Sequence, residues 1–384
     1  MGSYLSPGVY VEEVPPLARP IAGVGTSTAG FIGVISDAAT LKMPDKPDGS
    51  GKYTLADAGK SILVTSWNEF VTNFGEIQAG NSDLAHAVFG FFHNGGTRCW
   101  VIHVTALDDL SSELGEFAAI DEIAIVAVPG ATTKPIHAAL LDHCLQLGDR
   151  VAILDGVKDA DPPTADNISP EGRSEKGSYG AIYFPWIKVS NPLKKNETIT
   201  VPPSGHIAGI YARNDARRGV HKAPANEVVL GALGLEKRIS KAIQNDLNPE
   251  GVNVIREFGR EIKVWGGRTR ADSGHSEYQY ISTRRYMNFL RESIDEGTQW
   301  VVFEPNSHSL WQRISRTLTD FLTNQWRQGA LFGETPKQAF FVKCDADTNP
   351  PDVRELGQVV TEIGVAIVKP AEFVIFRIQQ TTGG

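Results

Sequence analysis

Short apolar runs alternate with amphipathic stretches through the first 155 residues. Apolar, β-prone runs predict strands at 21–35, 62–65, 98–104, 123–128 and 151–154. Residues 82–93 and 135–147 repeat apolar positions every three or four residues, a pattern typical of helices packed on a sheet. Gly148 follows the second of these helices, at a position where glycine commonly ends a helix. Strands that alternate with helices predict an α/β layer.

The second half of the chain is dominated by one amphipathic helix, predicted at 307–328. Its apolar stripe consists of Leu310, Ile314, Leu318, Phe321 and Leu322. Arg313, Arg316, Asp320 and Arg327 recur at three- and four-residue steps, so they share a polar face. Weaker patterns indicate helices at 224–246 and 283–295, strands at 300–303 and 339–343, and an exposed loop at 155–178.

Both ends of the chain carry β-prone segments outside the alternating region. The first, at 8–14, includes Val9, Tyr10, Val11 and Glu12. The second, at 371–379, includes Phe373, Val374, Ile375, Phe376 and Ile378. Because this second segment is apolar on both faces, it has to be covered on both sides or paired with another chain. The residues leave open whether the first segment pairs within its own chain or with a neighbouring copy.

Composition indicates a soluble globular protein of two or three domains. The chain has 384 residues, of which 41% are hydrophobic and 21% are charged. No apolar run approaches the roughly 20 residues of a membrane span. The first residues lack the basic and apolar regions of a secretory signal. Three widely separated cysteines exclude a disulfide framework and a cysteine-based zinc site, and they are typical of a cytosolic protein.

Charge is distributed unevenly along the chain. The net charge is −8, yet residues 211–291 hold 15 Lys and Arg against nine Asp and Glu. That stretch is therefore +6 and the remainder is −14. Such asymmetry favours contacts between complementary protein surfaces. Nucleic acid is not expected as a partner, because no dense basic run with interleaved aromatic residues is present.

No group of residues commits the chain to catalysis, to a metal or to a cofactor. The aspartates between 155 and 166 lack the central Gly and final Glu of a calcium loop. Ser204 and His206 lie close in sequence, but no nucleophile elbow surrounds them. His137 and His143 would not share a helix face. We therefore do not expect an enzyme, and an α/β enzyme with an unrecognised site is kept as an alternative.

A series of short motifs runs along nearly the whole chain. The most specific are 4–14 (YLSPGVYVEEV), 90–98 (GFFHNGGTR), 183–186 (YFPW), 201–209 (VPPSGHIAG) and 217–226 (RRGVHKAPAN). They are followed by 265–269 (WGGRT), Arg284-Arg285, 303–306 (FEPN), Leu310-Trp311 and 370–373 (PAEF). In this order the motifs resemble the contractile tail sheath family of phage tails and phage-like contractile injection systems.

The resemblance implies a structural subunit rather than an enzyme. Members of this family polymerise as stacked six-fold rings around an inner tube and contract to drive the tube through a target envelope. The implied fold is an α/β (α+β) protomer of two domains with extended strand arms at both termini. Its expected parts are an N-terminal arm (1–22), an outer domain (23–260), an inner, tube-facing domain (261–365) and a C-terminal arm (366–384). Inserted outward-facing domains, as in larger phage sheaths, are not expected in so short a chain.

The resemblance also implies the partners. These are further copies of the chain, an inner tube protein, and baseplate and tail-terminator or cap proteins. No cofactor, nucleic acid or membrane insertion is implied, and assembly is expected in the cytoplasm, as part of a phage tail or tail-like particle. The alternative within this class is another tail component, such as a baseplate or sheath-associated protein.

Three sets of residues are expected to carry the assembly. The terminal segments would add strands to neighbouring copies, and the polar face of the helix at 307–328 would grip an acidic tube unless it is merely solvated. The third set comprises Arg217, Arg218, His221, Lys222, Trp265 and Arg268. This set is either a core signature or an inter-subunit contact. Packing is favoured for Trp265 and carboxylate contacts at an interface for the paired arginines, with intramolecular salt bridges as the alternative.

Overall fold

The computed structural model describes residues 20–36 and 40–375, which form two compact units. The described part of the large unit comprises 23–36, 40–292 and 367–375, and that of the small unit comprises 20–22 and 293–366. The division falls inside one helix, after Glu292, whereas the expected boundary between outer and inner domains lies at 260/261. Which unit faces outward and which faces a tube stays a prediction.

The strands alternate with helices through most of the large unit. The strands are β1 (Ala29–Val34), β2 (Ile62–Val64), β3 (Cys99–Val104), β4 (Ile125–Ala127), β5 (Val151–Asp155), β6 (Gly180–Phe184), β7 (Ile187–Ser190), β8 (Thr198–Val201), β9 (Glu227–Val228), β10 (Gly234–Leu235), β11 (Val252–Phe258), β12 (Glu261–Val264), β13 (Phe340–Lys343) and β14 (Glu362–Val365). The helices are α1 (Trp67–Phe74), α2 (Ser82–His93), α3 (Ser111–Ala118), α4 (Lys134–Leu147), α5 (Ala165–Ile168), α6 (Ser204–Arg218), α7 (Lys241–Leu247), α8 (Ile281–Thr298), α9 (His308–Arg327), α10 (Pro336–Ala339) and α11 (Pro351–Glu355). Four short 3-10 turns lie at Ala79–Asn81, Lys176–Tyr179, Ser273–Tyr278 and Gln299–Val301.

One sheet of nine strands forms the centre of the large unit. Its order is β2-β3-β1-β4-β5-β6-β11-β12-β9. The six strands from β3 to β11 run parallel, and β2, β12 and β9 pair antiparallel at the two edges. A smaller antiparallel sheet, β10-β7-β8, belongs to the same unit. The predicted α/β layer is therefore confirmed.

Both faces of the central sheet are covered by helices, as a parallel sheet requires. Alternate residues of β1 show how the strands serve both layers: Phe31 enters the hydrophobic cluster that includes α1, α2 and α6, and Ile32 enters the one that includes α3 and α4. Gly30 faces the second layer too, where the Phe117 ring would lie 2.7 Å from a Cβ at that position. The sheet accepts bulky side chains only where the helices leave room.

Helix α6 is the most deeply buried helix of the large unit. Its first eleven residues, Ser204–Asn214, are all buried. It crosses α2 at very short range, since a Cβ on Gly205 would lie 2.2 Å from the Ala87 carbonyl oxygen and one on Gly209 would lie 2.4 Å from that of Phe91. These two glycines allow backbone-to-backbone packing that no larger residue permits.

The small unit has a compact core on one face of α9. Leu310, Trp311, Ile314 and Leu318 of α9 pack with Cys344, as the apolar stripe predicts. Ser307 caps the helix by accepting a hydrogen bond from the Leu310 amide. A two-stranded antiparallel sheet, β13–β14, packs beside α9.

Three predicted elements are wrong in whole or in part. Residues 224–246 hold the short strands β9 and β10, and a helix begins only at Lys241, because left-handed backbone at Asn226 and Gly231 breaks any helix. The predicted strand at 300–303 is a helical turn followed by Phe303 at φ +66°, which a strand cannot contain. Residues 371–375 form no strand, and 376–379 lie outside the described residues.

The predicted exposed loop at 155–178 is also more ordered than expected. It contains α5 and a 3-10 turn, and it buries Asp155, Ile168 and Glu171. The reason is electrostatic for Asp155, whose carboxylate accepts hydrogen bonds from the Ser204 amide (2.8 Å) and the Gly130 amide (3.0 Å). It thereby satisfies a free donor at the N-terminus of α6.

Two glycine substitutions test the close packing of α6. Gly205→Ala places a methyl group inside the Ala87 backbone, so we expect the free energy of unfolding to fall by about 1–3 kcal/mol. Gly115→Ala in α3 is the matched control, because nothing lies within 4 Å of its Cβ position. It should raise stability by up to about 1 kcal/mol, since alanine favours helix. Chemical denaturation of both variants measures the difference, and equal stabilities would contradict the close approach.

Candidate assembly surfaces

A single carboxylate fastens the last described segment to the large unit. Glu372 accepts hydrogen bonds from Arg268 Nε (2.8 Å) and Nη2 (2.6 Å), from Asn248 Nδ2 (2.7 Å) and from Tyr280 Oη (2.8 Å). The Arg268 and Glu372 side chains are only 11% and 18% exposed. Burial alone would raise the pKa of Glu372, but the donors from Arg268, Asn248 and Tyr280 outweigh it and hold that pKa below its ordinary value. We call this group the Glu372 clasp.

The clasp joins two of the sequence motifs. Arg268 comes from the WGGRT segment and Glu372 from the PAEF segment, 104 positions apart in the chain. Of the two interpretations left open for Arg268, the structure therefore shows an intramolecular salt bridge. Sequence reasoning missed Glu372, Asn248 and Tyr280 as its partners; the only signal was that both motifs are typical of one family.

Beyond the clasp, the described chain is exposed. Phe373, Val374 and Ile375 are each about 70% exposed or more. Phe376 and Ile378 lie outside the described residues, as do Val9, Tyr10, Val11 and Glu12 of the first segment (their role as strand arms stays a prediction). Three adjacent large apolar side chains in solvent are unusual for a monomer and typical of a surface that another molecule covers.

The paired arginines Arg217 and Arg218 end α6 on the surface of the large unit. Both are exposed, and within the described residues neither forms an ion pair. Lys222, in contrast, pairs with Glu227 at 3.0 Å, and the His221 ring meets the Tyr286 ring edge-on. Trp265 lies against Phe258 with ring centroids 4.4 Å apart while it stays 39% exposed.

The polar face of α9 keeps most of its charge in solvent. Arg316, Asp320 and Arg327 are exposed, whereas Arg313 is half-buried, lies over the Trp300 ring and pairs with Glu304 at 3.4 Å. Since a single exposed pair contributes about 0–1 kcal/mol, the face is a weak binding surface on its own.

The β13–β14 sheet offers the small unit's backbone for pairing. Among the described residues each of these strands pairs only with the other, so each has an open edge. Phe341 of β13 is 57% exposed. An open edge beside exposed apolar side chains is a template for a strand from another chain.

Other motif residues meet inside the large unit rather than on its surface. Arg285 binds Asp215 through two nitrogens at 2.5 and 3.0 Å, and its guanidinium lies 4.6 Å from the Tyr211 ring centre. The Tyr211 hydroxyl is hydrogen-bonded to that of Tyr183 at 2.8 Å. Residues of the YFPW segment and of the arginine pair thus belong to one buried network. Removing either charge would leave the other buried without a partner.

The residues considered for catalysis also have structural roles. Ser204 Oγ donates to Asp155 at 2.7 Å, at the start of α6. Burial raises the pKa of Asp155 to about 7. Burial, with the nearby His86 and His93, lowers the pKa of His206 to about 3. No three His, Cys, Asp or Glu side chains in the described residues are arranged to hold a metal, and none of the described helices could span a membrane.

Family models match most of the chain. The model of the phage tail sheath protein central domain matches residues 109–270, and that of the phage tail sheath C-terminal domain matches residues 273–381. A putative prophage major tail sheath protein of Pseudomonas aeruginosa (strain UCBPP-PA14) is 25% identical, over 97% of this chain and 96% of its own length. The tail sheath protein of Burkholderia phage BcepMu is 23% identical, over 72% of this chain and 58% of its own length.

Solved sheath structures align over the whole fold. The helical sheath of the anti-feeding prophage in its contracted state is 29% identical with a TM-score of 0.76, over 98% of this chain and 99% of that chain. The sheath of PVC, an extracellular contractile injection system, also in its contracted state, is 25% identical with a TM-score of 0.76, over 99% of each chain. The similarity covers both units, so the likeness is to a complete sheath subunit.

The buried titratable groups predict how the large unit responds to acid. Burial lowers the pKa of His137 and of His143 to about 4, and that of His206 to about 3, so each takes up a proton on unfolding near pH 5. Asp155, with its pKa raised to about 7, releases one. Unfolding should therefore take up about two protons net, and stability should fall as pH drops from 6.5 to 4.

The slope of unfolding free energy against pH measures this proton uptake. His137→Gln should lower the uptake by about one proton, because the histidine is removed while an amide can still donate to the Ala131 carbonyl. Asp155→Asn should change it by about one proton in the opposite direction. Slopes that did not move in opposite directions would contradict the burial of these groups.

Proposed function

This chain belongs to the contractile tail sheath family, and we propose that it works as the self-assembling subunit of a sheath that forms six-fold rings around an inner tube and contracts to drive the tube forward. The observation that carries this is the full-length likeness to sheath subunits of two contractile injection systems. Tail sheath proteins are structural, so mechanical work rather than catalysis is the proposed activity. The inner tube, baseplate and cap proteins are its proposed partners.

The terminal segments are proposed as the links between subunits. The Glu372 clasp supports this, because it fixes the start of the exposed segment at one point of the large unit while Phe373, Val374 and Ile375 project beyond it. The open edges of β13–β14 supply backbone donors and acceptors for such a strand. Each hydrogen bond nets only about 1 kcal/mol, so the added strands act as tethers rather than as the driving force.

The driving force is proposed to come from apolar area buried between subunits on contraction. Burial stabilises by about 25 cal/mol per Å², which exceeds what exposed ion pairs supply. The outer and inner roles remain as proposed from the resemblance, with the large unit outward and the small unit toward the tube. The exposed pair Arg217 and Arg218 is a candidate for carboxylates of a neighbouring copy.

Negative-stain electron microscopy of the purified chain, alone and with its co-expressed tail proteins, tests the function. We expect hollow striated cylinders from the wild type. Glu372→Gln should reduce the cylinders sharply while the melting temperature changes little, since the clasp positions a peripheral segment. A monomeric wild type under both conditions would overturn the proposed function.

The matched variants separate the arms from general stability. Deleting residues 373–384 should abolish the cylinders as Glu372→Gln weakens them. Lys194→Glu, a reversal of an exposed charge on the large unit, should leave them unchanged. If the clasp variant and the deletion both assembled like the wild type, the arm proposal would be wrong even though the chain formed a sheath.

The polar face of α9 is proposed to hold an acidic tube. Arg316 and Arg327 are the residues to reverse, because Arg313 is already engaged by Glu304 and Trp300 within the chain. In Arg316→Glu/Arg327→Glu, the salt concentration that separates sheath from tube should fall by about twofold or more, since repeated exposed ion pairs are screened by salt. Co-sedimentation of tube with sheath across a salt series measures this. Unchanged retention would indicate a solvated face without a role.

A further inference from the structure

One member of the FEPN motif is not accounted for by the fold. Glu304 pairs with Arg313, and Asn306 both accepts from Trp311 Nε1 (2.8 Å) and donates to the Gln358 carbonyl (2.9 Å). Phe303, in contrast, is fully exposed. Its neighbour Val302 is 59% exposed. Fully exposed phenylalanine contributes nothing to the stability of its own chain.

The backbone at Phe303 is also of a kind that phenylalanine rarely adopts. The Glu304 amide donates to the Val301 carbonyl at 3.1 Å and closes a four-residue turn. Val302 has φ −64° and ψ 130°, and Phe303 has φ +66°. These are the angles of a type II turn, in which the position of Phe303 is normally occupied by glycine or asparagine. A strained, exposed aromatic residue at a turn points to a role outside the monomer.

The turn is held rigidly in this conformation. Pro305 follows Phe303 directly, the Glu304 carboxylate is held by Arg313, and the two hydrogen bonds of Asn306 tie the turn to α9 and to Gln358. A preorganised aromatic side chain loses little conformational entropy on binding, which is the property of interface anchors.

We propose that Phe303, with Val302 beside it, is an apolar anchor that binds a second copy of this chain in the sheath. The inference rests on the proposed function. Two observations favour a second copy over the tube. The small unit exposes further large apolar side chains, Phe332, Phe341 and Leu356, so it presents more apolar surface than a monomer of its size normally carries. The proposed tube surface is charged and has to release, whereas an apolar anchor suits a contact that stays closed.

Photo-crosslinking from position 303 identifies the partner. Phe303→p-benzoylphenylalanine keeps an aromatic side chain at the site and reacts with whatever lies against it. After irradiation of assembled sheath with its tube, we expect covalent multimers of this chain, and none from the same variant kept unassembled. Crosslinks to the tube protein instead, or no product from assembled sheath, would overturn the inference.

Substitution separates binding from folding. Phe303→Asn suits the left-handed backbone, so the monomer should be at least as stable as the wild type. Its assembly should nevertheless require about 10-fold more protein or greater, as expected for loss of an anchor residue. Phe303→Trp should restore assembly. If the wild type assembles and Phe303→Asn does so at the same concentration, this inference alone fails; if the wild type never assembles, the proposed function fails.

Discussion

The carboxylate of Glu372 is the interaction on which the proposed mechanics depend. Four donors from three side chains converge on its two oxygens, and they come from positions 248, 268 and 280, far from it in sequence. A charge-assisted, bidentate contact fixes direction as well as position. The chain beyond residue 372 therefore leaves the large unit from a defined point. A tether is useful in a moving lattice only if its origin does not move relative to the body that it links.

The two units solve different problems. The large unit is complete in itself, since its sheet is covered on both faces and its buried charges, such as Arg285 with Asp215, are paired. The small unit has a modest core on one side of α9, an open two-stranded sheet and several exposed aromatic side chains. Apolar surface of that kind is stable in water only when something covers it. The division of labour follows: one body that keeps its shape, and one that other molecules complete.

The sequence allowed the regular elements to be predicted where periodicity or capping residues mark them. Helices α2, α4 and α9 and the parallel strands β1, β3 and β5 are confirmed near their predicted bounds, with Ser66 and Gly148 acting as the caps. Helix α6 was missed because it is buried all round and rich in small residues, so no apolar stripe marks it. The clasp could not be predicted, because its members are brought together only by the fold. The backbone of Phe303 could not be predicted either, since a positive φ at phenylalanine contradicts its local preference.

The contacts proposed for the lattice differ in how they respond to rotation of the subunits. Added strands keep their hydrogen bonds while the bodies that they link turn, because the bonds lie within the strand pair. Charged faces such as that of α9 weaken gradually with distance and salt, so they can be exchanged during sliding. Apolar anchors such as Phe303 act only at contact and are sensitive to shape, so they favour one arrangement over its neighbours. A lattice that must hold together, slide and then stop therefore requires all three kinds of contact, and each has a separate candidate residue set in this chain.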